Sequence, residues 1–234
     1  MKKILFAALV VSALATFQAR AILVTVDQVA GFNAGDGEFN VSAVGGLANG
    51  IAAIDLYNNN FGNLGFGTFC INRNTSITVP GQYNATVIGS GVDPVSGNQI
   101  SVGTAWLFQQ FATGTLANFN YTPGSGLVTS AYLLQNAFWV LEGQIGNNFN
   151  DVFLNMVISQ FGSLAAAGLD NNGQYGVGVL GLTTITATGG PGGQAQPMLT
   201  LTRSVDLLPD GGSVLILMGM GLSGLALFAR KFRS

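Results

Sequence analysis

The hydrophobic periodicity of the chain changes twice, and that switch limits the folds open to it. Val24 and Val26 alternate with Thr25 and Asp27, and Phe39, Val41 and Ala43 alternate with Glu38, Asn40 and Ser42. Apolar residues at every second position describe a strand with one buried face. Further strands are expected at 66–71, at Ile77/Val79 and at Tyr83/Ala85/Val87, the last two joined through the turn dipeptide Pro80-Gly81. From Thr104 the spacing becomes helical. Leu107, Phe108, Phe111 and Ala112 share one face of a helix capped by Thr104. Thr129 or Ser130 caps a second helix over 131–142, closed by Gly143. A third follows Asn150, with Phe153, Leu154, Val157, Ile158 and Phe161 on one stripe and Gly162 as its stop. Strand patterning resumes after Tyr175 with Leu180/Leu182, Thr183/Ile185/Ala187 and Leu199/Leu201. Strands, then helices, then strands predict an α+β fold: antiparallel, β-sandwich-like sheets with an inserted layer of about three helices. No glycine-rich phosphate loop follows a strand, so a nucleotide fold is not indicated.

The two ends read differently from the middle. Lys2 and Lys3 precede an apolar stretch at 4–17, and Ala19-Arg20-Ala21 offers a small-x-small cleavage site. Residues 1–21 are therefore expected to be a signal peptide. At the other end, Leu208-Pro209-Asp210-Gly211-Gly212-Ser213 leads into an apolar run at 214–229 and then Arg230, Lys231 and Arg233. That run spans about 24 Å as a helix and predicts a transmembrane segment, with the basic stop on the cytoplasmic side. The tail resembles the PEP-CTERM class of sorting signals that bacterial exosortases recognise, in its Val-Pro-Asp-Gly-Gly variant. Pro209, Asp210, Gly211, Gly212 and Ser213 match the box, and Leu208 stands for the usual Val. The resemblance implies an exosortase-type enzyme and the membrane as partners during maturation. It also implies a transient inner-membrane anchor, then the cell surface or extracellular matrix. The chain thus divides into 1–21, a Gly/Asn-rich body at 22–207 and a sorting segment at 208–234.

Composition narrows what that body does. Between Ile22 and Val205 the only basic residues are Arg73 and Arg203, against acids at Asp27, Asp36, Glu38, Asp55, Asp93, Glu142, Asp151 and Asp170. A body so short of cations has no patch for a phosphate backbone, which argues against nucleic acid as a partner. Histidine is absent, so no histidine-based triad, zinc site or pH switch can be built. One cysteine, Cys70, excludes an internal disulfide. No metal or cofactor site is expected.

One constellation suggests chemistry. Phe69-Cys70-Ile71-Asn72 ends a strand, and Leu134-Gln135-Asn136-Ala137-Phe138-Trp139 lies in the second helix. Together they resemble the thioester domains of Gram-positive surface adhesins, in which a strand cysteine condenses with the glutamine of a Gln-x-Ala-x-Trp helix. The resemblance implies Cys70 as thiol and Gln135 as acyl donor, with Ala137 and Trp139 at the recurring helix positions; Leu134 replaces the threonine common there. On a helix Tyr132, Trp139 and Glu142 share the face of Gln135, and the aromatic neighbours would shield such a bond. Against this stands a buried structural Cys70 with Gln135 and Trp139 as ordinary helix residues. The expectation is a non-enzymatic attachment protein, covalent through Cys70–Gln135, with a polysaccharide or a surface amine as target. A non-covalent matrix protein is the alternative, and a glycosidase using Glu142 and Asp151 comes third. Asp170-Asn171-Asn172-Gly173 reads as a turn, since it lacks the alternating ligands of a calcium loop.

Overall fold

The computed structural model describes residues 22–29, 37–43, 65–147 and 150–202 of the 234. The signal-peptide segment, the sorting box, the apolar run and the basic stop all lie outside these residues.

Among the described residues, seven antiparallel strands form one sheet: β1 (Ile22–Gln28), β2 (Phe39–Ala43), β3 (Gly65–Thr68), β4 (Gly81–Ile88), β5 (Val177–Ile185), β6 (Pro191–Gln194) and β7 (Met198–Leu201). Their order is β3-β2-β1-β4-β5, and the far edge of β5 is shared by β6 and β7. The chain just past β3 then meets β7. Leu199 N donates to Phe69 O at 3.0 Å, Ile71 N donates to Pro197 O at 3.2 Å, and Cys70 sits opposite Met198. The two ends of the sheet therefore join, and the sheet curls into a nearly closed barrel.

This corrects the expected sandwich. Period-two patterning marks an inside and an outside on each strand, and it does so equally for two stacked sheets and for one sheet closed on itself. The layer count is corrected as well, because among the described residues four α-helices stand between β4 and β5: α1 (Val102–Ala112), α2 (Ser125–Leu141), α3 (Val152–Phe161) and α4 (Leu164–Ala167). A membrane-spanning helix was part of the same expectation. Among the described residues no helix is long and apolar enough to cross a membrane.

Alternation along the strands sorts the core into two bodies. Val24, Val26, Phe39, Val41, Tyr83, Ala85, Leu180, Leu182 and Met198 fill the barrel with Cys70. Phe69, Ile71, Val177, Val179 and Leu199, one residue out of phase, face outward and pack beneath the helices. Phe69 sits edge-on to Phe111 of α1 (4.9 Å between centroids) and to Phe138 of α2 (5.4 Å), which joins the two layers. The approach of α1 is close over Gly67. A Cβ there would lie 2.5 Å from Glu38 Oε1 and 3.1 Å from Phe111 Cζ.

Helix ends follow local chemistry. α1 begins earlier than Thr104, because Ser101 is its cap and accepts from Thr104 N. α2 starts at Ser125, ahead of the expected caps. Thr129 Oγ1 instead bonds back to Ser125 O, and Ser130 Oγ accepts from Asn120 N. α3 is capped by Asp151 and stopped by Gly162 in the left-handed region at φ 83°. Residues 72–80 are irregular, and the expected Ile77/Val79 strand is absent. Tyr83 ties this segment down, accepting from Thr78 N at 2.9 Å and donating to Thr78 O at 2.7 Å.

Candidate functional site

Two glutamines fasten the segment after β3 to α2. Gln135 Nε2 donates to Cys70 O at 2.7 Å, and Gln135 Oε1 accepts from Cys70 N at 3.0 Å. Phe39 pairs with Thr68, so the β2 register would place Gly37 opposite Cys70. The backbone turns there, with Gly37 at φ 106°. A carboxamide has the donor and acceptor of a peptide group, and Gln135 supplies the missing pair. Nine residues on, Gln144 repeats the arrangement, donating to Ile71 O and accepting from Arg73 N.

Cys70 and Gln135 are thus brought together, but as carboxamide and main chain. The Cys70 side chain belongs to the barrel interior, whereas Phe69 and Ile71 on either side face α2. Both ends of the Gln135 carboxamide are engaged by the backbone, and Cys70 is a free, buried cysteine. Burial pushes its thiol far above the ordinary range, which holds it in the neutral, non-nucleophilic form. The thioester expectation is corrected on these grounds: the pair is a structural clasp. The proposed shield also disperses. Tyr132 is 46% exposed, Ala137 is fully buried, and Trp139 is half-buried beneath Arg73, whose guanidinium carbon lies 5.7 Å from its ring centroid.

The second clasp borders a cleft of about 510 Å³, lined by Ile71, Asn72, Asn74, Asp93, Ser96, Asn98, Gln99, Ser101, Leu141, Glu142, Gly143, Gln144, Gly168 and Asp170. Its wall is fixed from within. Asp93, 5% exposed, accepts from Asn72 Nδ2 (2.8 Å), Ser96 Oγ (2.7 Å) and Val95 N (2.8 Å). Asn72 in turn accepts from Asn74 N through Oδ1 and receives Gln196 Nε2 at its carbonyl.

Glu142 stands across from this network, just past α2. Its Oε1 accepts from Ser101 N at 3.0 Å and from Thr104 Oγ1 at 2.6 Å, both at the start of α1. Burial pushes the carboxyl up from its ordinary value. Hydrogen bonds from Thr104 and Ser101 oppose the shift, and the charge of Asp93 adds to it. Asp170 enters from the turn after α4, where Asn171 N bonds to Ile100 O. Glu142 and Asp151 do not form the pair a glycosidase would need across this cleft. Asp151 is buried as the α3 cap, its Oδ1 accepting from Phe153 N, and it is absent from the lining.

Sequence reasoning singled out Glu142 and Asp170 for other reasons and missed Asn72, Asp93, Ser101 and Gln144. Asp93-Pro94-Val95-Ser96-Gly97-Asn98 carries a readable signal, an aspartate positioned to bond the backbone two residues on in a tight turn. The contact with Asn72 carries none. Among the described residues no group of three or more His, Cys, Asp or Glu side chains is arranged to hold a metal ion.

Fold and cleft together define the class: an α+β protein on a nearly closed barrel, with a polar cleft between the barrel rim and the helices. The chain shows no significant match to any family model, curated protein or solved structure. With no such match, a free buried Cys70 and no membrane-crossing helix among the described residues, the exosortase-sorted, transiently membrane-anchored surface adhesin is corrected too. That reading is not carried forward.

Proposed function

We propose that the chain is a binding protein, not an enzyme, and that its cleft takes a hydroxyl-rich carbohydrate. The observation that carries this is the pre-ordered polar wall. Asn72, Asp93 and Ser96 hold one another in place, so a ligand would meet fixed groups and order few side chains on binding. A cleft of about 510 Å³ falls within the usual range for small-ligand sites, roughly 300–1,000 Å³. Carboxamides and carboxylates match the paired donors and acceptors of sugar hydroxyls. The shortage of cations disfavours phosphate-bearing ligands.

Asn74 and Asn98 line the cleft and are exposed, so they can be changed with little effect on the fold. Titration calorimetry of the full chain against neutral oligosaccharides should find a binder, and the Asn74→Ala/Asn98→Ala double variant should bind it about tenfold more weakly, the equivalent of one or two hydrogen bonds. Failure of every neutral and amino-substituted oligosaccharide to bind would overturn the reading.

A further inference from the structure

We propose that Glu142 makes the cleft selective for saccharides bearing a protonated amine, by presenting its Oε2 to the ligand's ammonium group. This inference rests on the carbohydrate reading above.

The argument is one of hydrogen-bond capacity and charge. Glu142 Oε1 is already committed to Ser101 N and Thr104 Oγ1, which fixes the plane and direction of the carboxyl. Oε2 has no partner among the described residues, and Glu142 is partly open to the cleft it lines. Asp93 differs, because both its oxygens are spent on Asn72, Val95 and Ser96. Glu142 is therefore the cleft carboxylate that combines a fixed orientation with an unspent acceptor.

A neutral hydroxyl would satisfy that acceptor but leave the charge uncompensated. The titratable groups facing Glu142 are Asp93, from the segment before α1, and Asp170, from the turn after α4. Neither Ser101, the cap of α1, nor Thr104 within it is ionisable. Arg73, the only cation among the described residues, is outside the lining and lies over Trp139. An ammonium donates three hydrogen bonds and supplies the missing positive charge. Association with the ionised carboxylate also pulls a proton off any Glu142 that holds one, so uptake of amine is linked to proton release.

The experiment is calorimetric titration of the full chain with glucosamine oligosaccharides and with their N-acetylated counterparts. At pH about 6, where most of the glucosamine amines carry their proton, the amine form should bind at least tenfold tighter. The preference should shrink as pH falls through the elevated Glu142 titration. It should vanish in Glu142→Gln, which keeps both Oε1 contacts. Asp170→Asn serves as the control for bulk negative charge and should retain most of the preference. Equal affinity for both oligosaccharides, or a preference lost in Asp170→Asn and kept in Glu142→Gln, overturns the inference while leaving carbohydrate binding intact. Absence of binding by either oligosaccharide overturns this inference directly, and extended to other sugars it overturns the broader reading.

Discussion

Gln135 holds Cys70 by both polar groups of its main chain, receiving its N–H at 3.0 Å and donating to its carbonyl at 2.7 Å. All four atoms are buried, so the clasp has no access to water as a substitute partner. Replacing Gln135 by Ala leaves two buried backbone groups unsatisfied, each costing about 1–3 kcal/mol. The expected loss in urea denaturation is about 2–6 kcal/mol. Gln135→Glu should be destabilised at neutral pH, where a carboxylate oxygen faces Cys70 O, and should recover as acid protonates it. A loss below about 1 kcal/mol for Gln135→Ala would show that the clasp is incidental.

The intact mass of the purified chain should correspond to unmodified Cys70 and Gln135. The Cys70 thiol, 2% exposed and held neutral by burial, should react with an alkylating reagent only as fast as the protein opens. Labelling should become complete in denaturant. A species lighter by one ammonia, with a thiol still resistant after denaturation, would restore the covalent bond rejected above.

Glu142 gives stability a particular dependence on pH. Its carboxyl titrates above the ordinary 4.5 in the folded chain, mainly through burial. The folded state therefore binds the proton more tightly than the unfolded state does. The contribution is fully present below 4.5 and is lost as pH rises through the elevated folded value. Asp151, raised above its ordinary 3.8 by burial, acts in the same direction. Thermal melts of Glu142→Gln should show a shallower fall in stability from acid toward neutral pH than the parent chain, with Asp151 supplying the remainder. An unchanged slope would remove Glu142 from the account.

Gly67→Ala should be destabilised by about 1–3 kcal/mol, the usual range for overpacking. The added methyl meets Glu38 Oε1 at 2.5 Å and Phe111 Cζ at 3.1 Å, and the Phe111 ring is wedged against Phe69 and Phe119. Chemical denaturation measures this directly. Wild-type stability would mean that α1 can lift from the sheet without loss.

Strands and helices were legible where one face alternates cleanly. β2 shows Phe39 and Val41 inward, and α3 shows Phe153, Leu154 and Val157 on its buried stripe and Gly162 as its stop. Closure of the sheet was not legible, because it depends on residues 69–71 meeting 197–199 across more than half the chain, and pairing partners leave no mark in either segment. The start of α2 was misplaced because Thr129 and Ser130 resemble caps, yet their hydroxyls serve a helix already under way. The motif resemblance drew attention to Cys70 and Gln135, but the covalent pairing of their side chains that it implied is overturned, since Gln135 meets only the Cys70 main chain. Alternation alone would have turned the thiol inward, away from α2, once Phe69 and Ile71 were assigned to the helical side. The cleft was hardest to foresee. Its groups come from the segment after β3, the segment before α1, the end of α2 and the turn after α4, each unremarkable alone.

Where β2 turns away at Gly37, the next rung of the sheet is a side chain borrowed from a helix. At this rung barrel and helical layer cannot part without breaking the hydrogen bonds between Gln135 and Cys70. Loss of α2 would open the sheet at β3, and loss of β3 would strand Gln135 beneath a layer with nothing to hold. The two layers form one cooperative unit and should melt in one transition, even though their apolar cores are separate.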